Sequence, residues 1–342
     1  MSAPPSAMSR VVCFGECMLE LQGQAFGDMR QGYGGDTLNT AVYLARCGAR
    51  QGLRVDYATA LGDDPLSAGL LQRWQAEGLG TDLVRRLPGR LPGLYLIEVD
   101  ADGERCFSYW RDQAAARAYF DCAQTPLEAL LQPAPTVGQV KPMEPVGTAE
   151  RVGTAHGGAA LALYFSGISL AILPPAGRKR LLGLAARVRQ QGGVVAFDNN
   201  YRPRLWPDVD TARSAFSAAT TTATLALMTL DDEQALWDQP DAQQQLAHTL
   251  QLPCAEVVVK RGVQPTLVRY TGQPPTSVPT EPVLKVVDTT AAGDSFAGAY
   301  LAARLGGATP PQAAAQGNRL AARVVQHRGA VLPLAAMADL LS

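Results

Sequence analysis

The amino-acid sequence predicts an α/β fold, a mostly parallel central sheet flanked by helices, and two patterns shape that prediction, one that carries it and one that departs from it. Short β-rich runs (Val11 to Phe14, Val55 to Ala60, Leu161 to Phe165, Val194 to Phe197, Thr224 to Met228 and Glu256 to Val259) alternate with stretches of helical period, among them Thr37 to Cys47, Arg178 to Gln191 and Ala212 to Ala219. Such alternation suits parallel pairing, because each return to the same edge of a sheet needs a crossover, usually a helix. The second pattern is a local exception. Leu94 to Val99 and Arg105 to Trp110 flank Asp102-Gly103, a dipeptide suited to a tight hairpin turn, so antiparallel material is inserted into the parallel fold. Such a hairpin can form an edge or a lid over the carboxyl ends of the parallel strands, where open α/β sheets bind ligands.

In chain order, residues 1–10, with Ala3-Pro4-Pro5-Ser6, read as a disordered N-terminus, and one folded domain is expected over residues 11–342. From Pro133 to Gly158 the chain is rich in Pro, Gly, Thr and Ala and shows no apolar period; this stretch reads as a long flexible surface loop. The chain has 342 residues, 47% of them hydrophobic and 18% charged, which suffices to bury a full-sized core.

Charge and cysteine usage exclude several classes of function. Thirty basic and 31 acidic side chains nearly cancel, to a net charge of −1, so there is no electrostatic footprint for nucleic acid or for an anionic membrane. Any anionic ligand must be met by locally placed groups. The six cysteines show no C-x2-C spacing and the three histidines are far from each other in sequence, which argues against a zinc site and reads the cysteines as small buried hydrophobes. With no secretory signal ahead of Val11 and no apolar run long enough to span a bilayer, the expected compartment is the cytoplasm.

The strongest chemical signal runs from Val286 to Leu301. A strand end gives way to small residues, and then an apolar period (Phe296, Ala297, Tyr300, Leu301, Leu305) announces a helix. The small side chains of Ala291, Ala292 and Gly293 leave backbone N–H groups open at the positive end of that helix, a pocket for the oxygens of a transferring phosphoryl group. Beside it, Asp294 is placed to accept a proton from an attacking hydroxyl. An Asp at a helix start also serves commonly as an N-cap, and the local pattern leaves both roles open. Nearer the N-terminus, Gly32-Tyr33-Gly34-Gly35-Asp36-Thr37-Leu38-Asn39 opens another helix. Gly34 and Gly35 let a ligand approach the backbone closely, and Asn39 on the first turn can bond ligand hydroxyls.

Two of these strings resemble known signatures. Asp288 to Phe296 resembles the signature of the ribokinase-like (PfkB) carbohydrate kinases, with Ala291 standing where those enzymes usually carry the first Gly of Gly-Ala-Gly-Asp. Gly32 to Ala41 resembles the first signature of the same family, in the expected order. Asp198-Asn199-Asn200-Tyr201-Arg202 fits its Asp-x-Asn-x-Arg pattern, which implies Asn200 near the nucleotide phosphates and Arg202 near the substrate. Lys260-Arg261-Gly262 is similar to the Lys-x-Gly turn of the nucleotide site. The family's Asn-x-x-Glu element, associated with metal and phosphate ordering, is replaced by Thr229-Leu230-Asp231-Asp232-Glu233: Thr229 and Asp232 take the two positions, with Glu233 an alternative. A contact to Mg²⁺ through water tolerates that swap, since this ion prefers oxygen ligands and keeps much of its water.

Further segments (Gly15 to Leu21, Arg90 to Tyr95, Tyr109 to Arg111, Ser166 to Leu173) extend the resemblance over nearly the whole chain, to the branch of the family that acts on 2-dehydro-3-deoxy-D-gluconate. What the resemblance implies is a ribokinase-like three-layer α/β/α sandwich, with a small β lid formed by about residues 22–33 and 92–112. It also implies transfer of phosphate from ATP to the C6 hydroxyl of that sugar acid, with ATP and Mg²⁺ as cofactors. Tyr95, Tyr109, Arg111 and Arg202 would hold the substrate together with Gly34, Gly35 and Asn39. Asn200, Thr229, Lys260 and Gly262 would face the nucleotide, Asp232 the metal, and Asp294 would be the base. A monovalent cation such as K⁺ near Asp288 is left open, and a homo-oligomer is expected. Two arginines suit an acid substrate, because a guanidinium pairs with a carboxylate through two parallel, charge-assisted hydrogen bonds. The alternatives are a kinase of the same fold acting on fructose, ribose or a nucleoside, and a sugar-acid-binding regulator without catalysis. A nicotinamide-dependent oxidoreductase is disfavoured because no Gly follows at position 37.

Overall fold

The computed structural model describes residues 10–24, 26–99, 105–131 and 161–341. The expected N-terminal tail up to residue 9, the Asp102-Gly103 turn and the 133–158 loop lie outside the described residues. The strands are β1 (Arg10–Phe14), β2 (Met18–Gly23), β3 (Met29–Gly34), β4 (Arg54–Leu61), β5 (Val84–Arg86), β6 (Gly93–Val99), β7 (Arg105–Trp110), β8 (Leu161–Ser166), β9 (Val194–Asp198), β10 (Leu225–Thr229), β11 (Glu256–Arg261), β12 (Gln264–Tyr270) and β13 (Thr276–Val278). The α-helices are α1 (Asp36–Gly48), α2 (Pro65–Ala76), α3 (Pro126–Leu130), α4 (Gly167–Ile172), α5 (Pro175–Gln190), α6 (Val209–Thr222), α7 (Leu230–Trp237), α8 (Ala242–Thr249), α9 (Ala292–Leu305) and α10 (Pro310–Val324).

Nine strands form the central sheet in the order β13-β12-β11-β10-β9-β8-β1-β4-β5. From β11 to β5 every pairing is parallel, and β12 and β13 add an antiparallel edge. Alternate residues of each strand face opposite layers. In β1, Val12 and Phe14 pack with Leu170, Leu181 and Phe216 of α4, α5 and α6, whereas Val11 and Cys13 pack with Leu38, Trp74, Phe296 and Ala313 of α1, α2, α9 and α10. Both faces are therefore covered, which makes the three-layer α/β/α sandwich and explains why the central strands read as unbroken apolar runs.

A second sheet of four strands, β3-β2-β6-β7, lies apart from the first. Its β6–β7 pair is antiparallel with Leu94 opposite Trp110 and Tyr95 opposite Tyr109, and β2 joins it in parallel while pairing antiparallel with β3. The strands β2, β3, β12 and β13 carry mixed polar and apolar residues and were not legible as strands from apolar runs.

The segment after β9 is held down by aromatic packing. Phe216 of α6 meets Phe197, Tyr201 and Trp206 edge-on, with ring centroids 5.4, 5.8 and 5.9 Å away. Such T-shaped contacts add to the stabilisation from burial itself. Phe216→Ala is expected to destabilise the fold by about 3–5 kcal/mol, as large core truncations do. Urea unfolding measures it, and a loss below about 1 kcal/mol, the size of a surface substitution's effect, would show that the cluster does not anchor this segment.

Candidate active site

Helix α9 begins without a side-chain cap. Its N-cap residue is Ala291, at φ 59° and ψ 15°, a left-handed conformation that costs an L-residue about 1–2 kcal/mol and that Gly adopts freely. That cost explains why the related signature usually has Gly there. Asp294 occupies the third helical position, so it is not the N-cap, and both of its expected uses, cap and base, are no longer in competition. Of the amides expected to be open, that of Ala292 donates to the Thr289 carbonyl at 3.2 Å. Within the first helical turn the opening therefore falls on Gly293 and Asp294, whose N–H groups helix geometry leaves without intrahelical acceptors.

Helix α1 brings its own first turn to the same place. Asn39 Nδ2 donates to Asp294 Oδ2 at 2.8 Å, and the Thr40 hydroxyl lies 3.2 Å from the Asp294 carbonyl oxygen. Asn39 is thus spent partly on the carboxylate; its Oδ1 is buried and has no hydrogen-bond partner among the described residues. Asp36, also on α1, accepts from Asn200 Nδ2 at 2.8 Å. Asn200 reaches it from a left-handed backbone, φ 29°, a conformation Asn tolerates better than most residues. The resemblance put Asn200 beside the nucleotide phosphates; the structure joins it to the glycine-rich turn at Asp36.

Strand ends supply the opposing charge. Lys260 lies where the β11–β12 register shifts between Val259 and Arg261, an irregularity of the kind that re-aims a side chain. Its ammonium is buried against Asp198, 3.1 and 3.0 Å from the two carboxylate oxygens, and a Cβ added to Gly293 would lie 3.6 Å from Nζ. Lys260 therefore borders the opening at the start of α9. Gly262 takes φ 60° in the short connection between these strands. Burial and the nearby Asp36 and Asp198 carboxylates push Asp294 up to about 8, against the pull of Asn39 and Lys260.

Asp232 and Glu233, which sequence could not separate, face different ways. Asp232 accepts from the Tyr201 N–H at 3.2 Å and pairs with Arg202 at 3.5 Å, while Glu233 is buried and accepts from Asn199 at 3.1 Å. Burial pushes Glu233 up to about 7. Asn199 also bonds both backbone groups of Thr229, at 2.9 Å each, so it fixes the β10–α7 junction.

On the far side lie the residues expected to hold a substrate. A Cβ at Gly35 would come within 2.1 Å of the Glu16 carbonyl oxygen, and one at Gly34 within 3.3 Å of the Tyr95 hydroxyl, so the glycines permit close strand contact here. Tyr95 donates to Glu20, its ring lies 6.0 Å from that of Tyr109, and Tyr109 is exposed. Arg111 is buried and its Nη2 donates to Glu16 Oε2. Arg111 Nε and Glu16 Oε1 have no partner among the described residues. The two arginines expected to flank one substrate are thus each engaged with a protein carboxylate, Arg111 with Glu16 and Arg202 with Asp232. Glu16, Asp36, Thr40, Asp198 and Asn199 were not singled out from sequence, although each lies within a segment that was. Only their three-dimensional neighbours reveal them.

A carboxylate thus lies beside an uncapped helix start, bordered by a buried ammonium, at the carboxyl ends of parallel strands, where open α/β sheets bind ligands. The chain belongs to the pfkB family of carbohydrate kinases, whose family model matches residues 8–134 and 155–337. It is 44% identical over 329 residues to a 2-dehydro-3-deoxygluconokinase of Dickeya dadantii, covering 96% of this chain and 98% of that protein. It is 42% identical over 330 residues to the Escherichia coli K12 enzyme of the same name, with the same coverage. Among solved structures, an E. coli chain of the ribokinase type in complex with ATP and Mg²⁺ superimposes with a TM-score of 0.75 at 21% identity, covering 98% of this chain and 99% of that one.

The raised Asp294 gives a stability prediction. Its protonated form is favoured on folding, so the stabilisation is complete below the unfolded value of about 3.9 and is lost as pH rises toward about 8. Asp294→Asn should therefore melt at a higher temperature than the unaltered chain at pH 8, by a margin that shrinks steadily toward pH 4. A constant margin, or a lower melting temperature at pH 8, would contradict a carboxyl raised by burial and its charged neighbours.

Proposed function

We infer that this protein phosphorylates 2-dehydro-3-deoxy-D-gluconate at its C6 hydroxyl with ATP, giving 2-dehydro-3-deoxy-6-phosphogluconate and ADP. The observation that carries the reading is Asp294, held by Asn39 beside the first-turn amides of α9. Near full-length identity to 2-dehydro-3-deoxygluconokinases supports the substrate.

In this reading the attacking hydroxyl lies against Asp294, which takes its proton as the oxygen adds to the γ-phosphate. The raised proton affinity of Asp294 suits that task, since a base works best with a pKa near the working pH. The amides of Gly293 and Asp294 and the Lys260 ammonium receive the negative oxygens, and they cost no reorganisation because the fold has already fixed them. Arg111 offers its free Nε to the sugar carboxylate, with Tyr95 and Tyr109 along the same strand pair. Mg²⁺ neutralises phosphate charge when bound. No group of three or more His, Cys, Asp or Glu able to hold a metal occurs among the described residues, which fits an ion held largely by phosphate and water, with Asp232 in contact through water. The reading leaves room for K⁺ beside Asp288, whose carboxylate accepts from Thr290 and from the Gly329 N–H. It also includes a homo-oligomer burying the exposed Phe107, Tyr109 and Trp110 of β7, and a cytoplasmic location.

Asp294→Asn should lower turnover by about 10²- to 10⁴-fold while calorimetry still registers sugar-acid binding; near-normal turnover would refute the base. Arg111→Ala should raise KM for the acid with little change for ATP, and equal effects on both would count against a carboxylate contact. An ADP-release assay across sugar acids, fructose and ribose tests the substrate directly: preference for a neutral sugar would overturn it.

A further inference from the structure

We propose that Gly298 is a positioning residue for catalysis: its missing side chain sets the distance between α1 and α9 at which Asn39 reaches the Asp294 carboxylate. The proposal rests on the base reading above. Gly298 lies four residues after Asp294, one helical turn further along the same face. A Cβ built there would lie 2.7 Å from Tyr43 Cβ, 2.9 Å from Leu44 N and 2.9 Å from the Thr40 carbonyl oxygen. Two of these three atoms are α1 backbone, which cannot swing aside as a flexible side chain does.

Helix α1 has little freedom to retreat. The Tyr43 hydroxyl donates to the Ala330 carbonyl at 2.8 Å and accepts from the Leu332 N–H at 3.1 Å, which ties α1 to the C-terminal segment. Thr40 Oγ1 lies 3.1 Å from the Tyr164 hydroxyl, which reaches on to Asp198 at 3.4 Å. A methyl group at position 298 must therefore move α9, and with it Asp294, away from Asn39. The Asn39–Asp294 bond at 2.8 Å and the Thr40–Asp294 contact at 3.2 Å, one turn away, are the first to lengthen. The ordinary explanation, that Gly298 only allows tight helix packing, accounts for stability but not for a change at the carboxylate.

Loss of the Asn39 donor has a signature of its own. The titratable groups facing Asp294 are Asp36 and Tyr43 of α1, Tyr164 of β8, Asp198 of β9 and Lys260 of β11. Asn39 is the neutral donor that favours the charged carboxylate, so its withdrawal raises the proton affinity of Asp294 further.

The test is the pH dependence of kcat/KM for the sugar acid in Gly298→Ala, Asn39→Ala and the double variant, with Asp294→Asn in parallel. Gly298→Ala should lower kcat by about 10²-fold, as a displacement near 1 Å can, leave KM for ATP unchanged, and move the acidic limb to higher pH. Asn39→Ala should move the limb the same way, and the double variant should do no more than Gly298→Ala alone, since both act through one bond. A limb and turnover in Gly298→Ala equal to those of the unaltered chain would overturn the proposal, as would additive effects. If Gly298→Ala does not fold, an unmoved limb in Asn39→Ala overturns it equally. Near-normal turnover in Asp294→Asn would instead sink the base reading, a separate failure.

Discussion

Three carboxylates, Asp36, Asp198 and Asp294, converge where the parallel strands end, and Lys260 offsets only part of their charge. Burial first, and that crowding second, raise the proton affinity of Asp294. The fold tolerates the crowding because each carboxylate has a fixed donor: Asn200 for Asp36, Lys260 for Asp198 and Asn39 for Asp294. Burial makes the charged forms of Asp198 and Asp294 costly, and such cost concentrated in one crevice is characteristic of functional sites. A magnesium-bound polyphosphate and a hydroxyl about to lose its proton are partners such a crevice can use.

The scaffold makes the convergence a matter of topology. Parallel strands place their carboxyl ends on one side of the sheet, so Asp198 at the end of β9, Thr229 at the end of β10 and Lys260 near the end of β11 arrive together. Helices α1 and α9 pack side by side on one face, and their first turns meet the same edge. The Asp294 carboxylate is thus held by elements from both halves of the chain, 255 residues apart in the case of Asn39 and Asp294. The four-stranded sheet carries Tyr95 and Tyr109 opposite one another, a placement that follows from its register.

Much of the fold was legible in the sequence because the central strands are buried on both faces and read as apolar runs broken by helical period. The antiparallel pair β6–β7 announced itself through its own pattern. The partner strands β2 and β3 did not, since they mix polar and apolar residues and carry glycine. At the site, Asp294 and the small residues before it were visible as a local string, whereas the count of open amides was not: the left-handed turn at Ala291 closes one of them. The engagement of Arg111 by Glu16 could not be read, because the two are 95 residues apart and nothing local marks them as a pair. Likewise Asp232 and Glu233 are adjacent acidic residues that only burial distinguishes, one facing Arg202 and the other Asn199.

The claim on which the account turns is that burial, reinforced by the neighbouring carboxylates, holds the Asp294 carboxyl far above its ordinary range in the sugar-free protein. Carbon-13 NMR titration of aspartate-labelled protein, with the signal assigned by its absence in Asp294→Asn, measures this directly. The account requires a carboxyl titrating near 8; a residue 294 that titrates at about 4, as an ordinary Asp does, would contradict it.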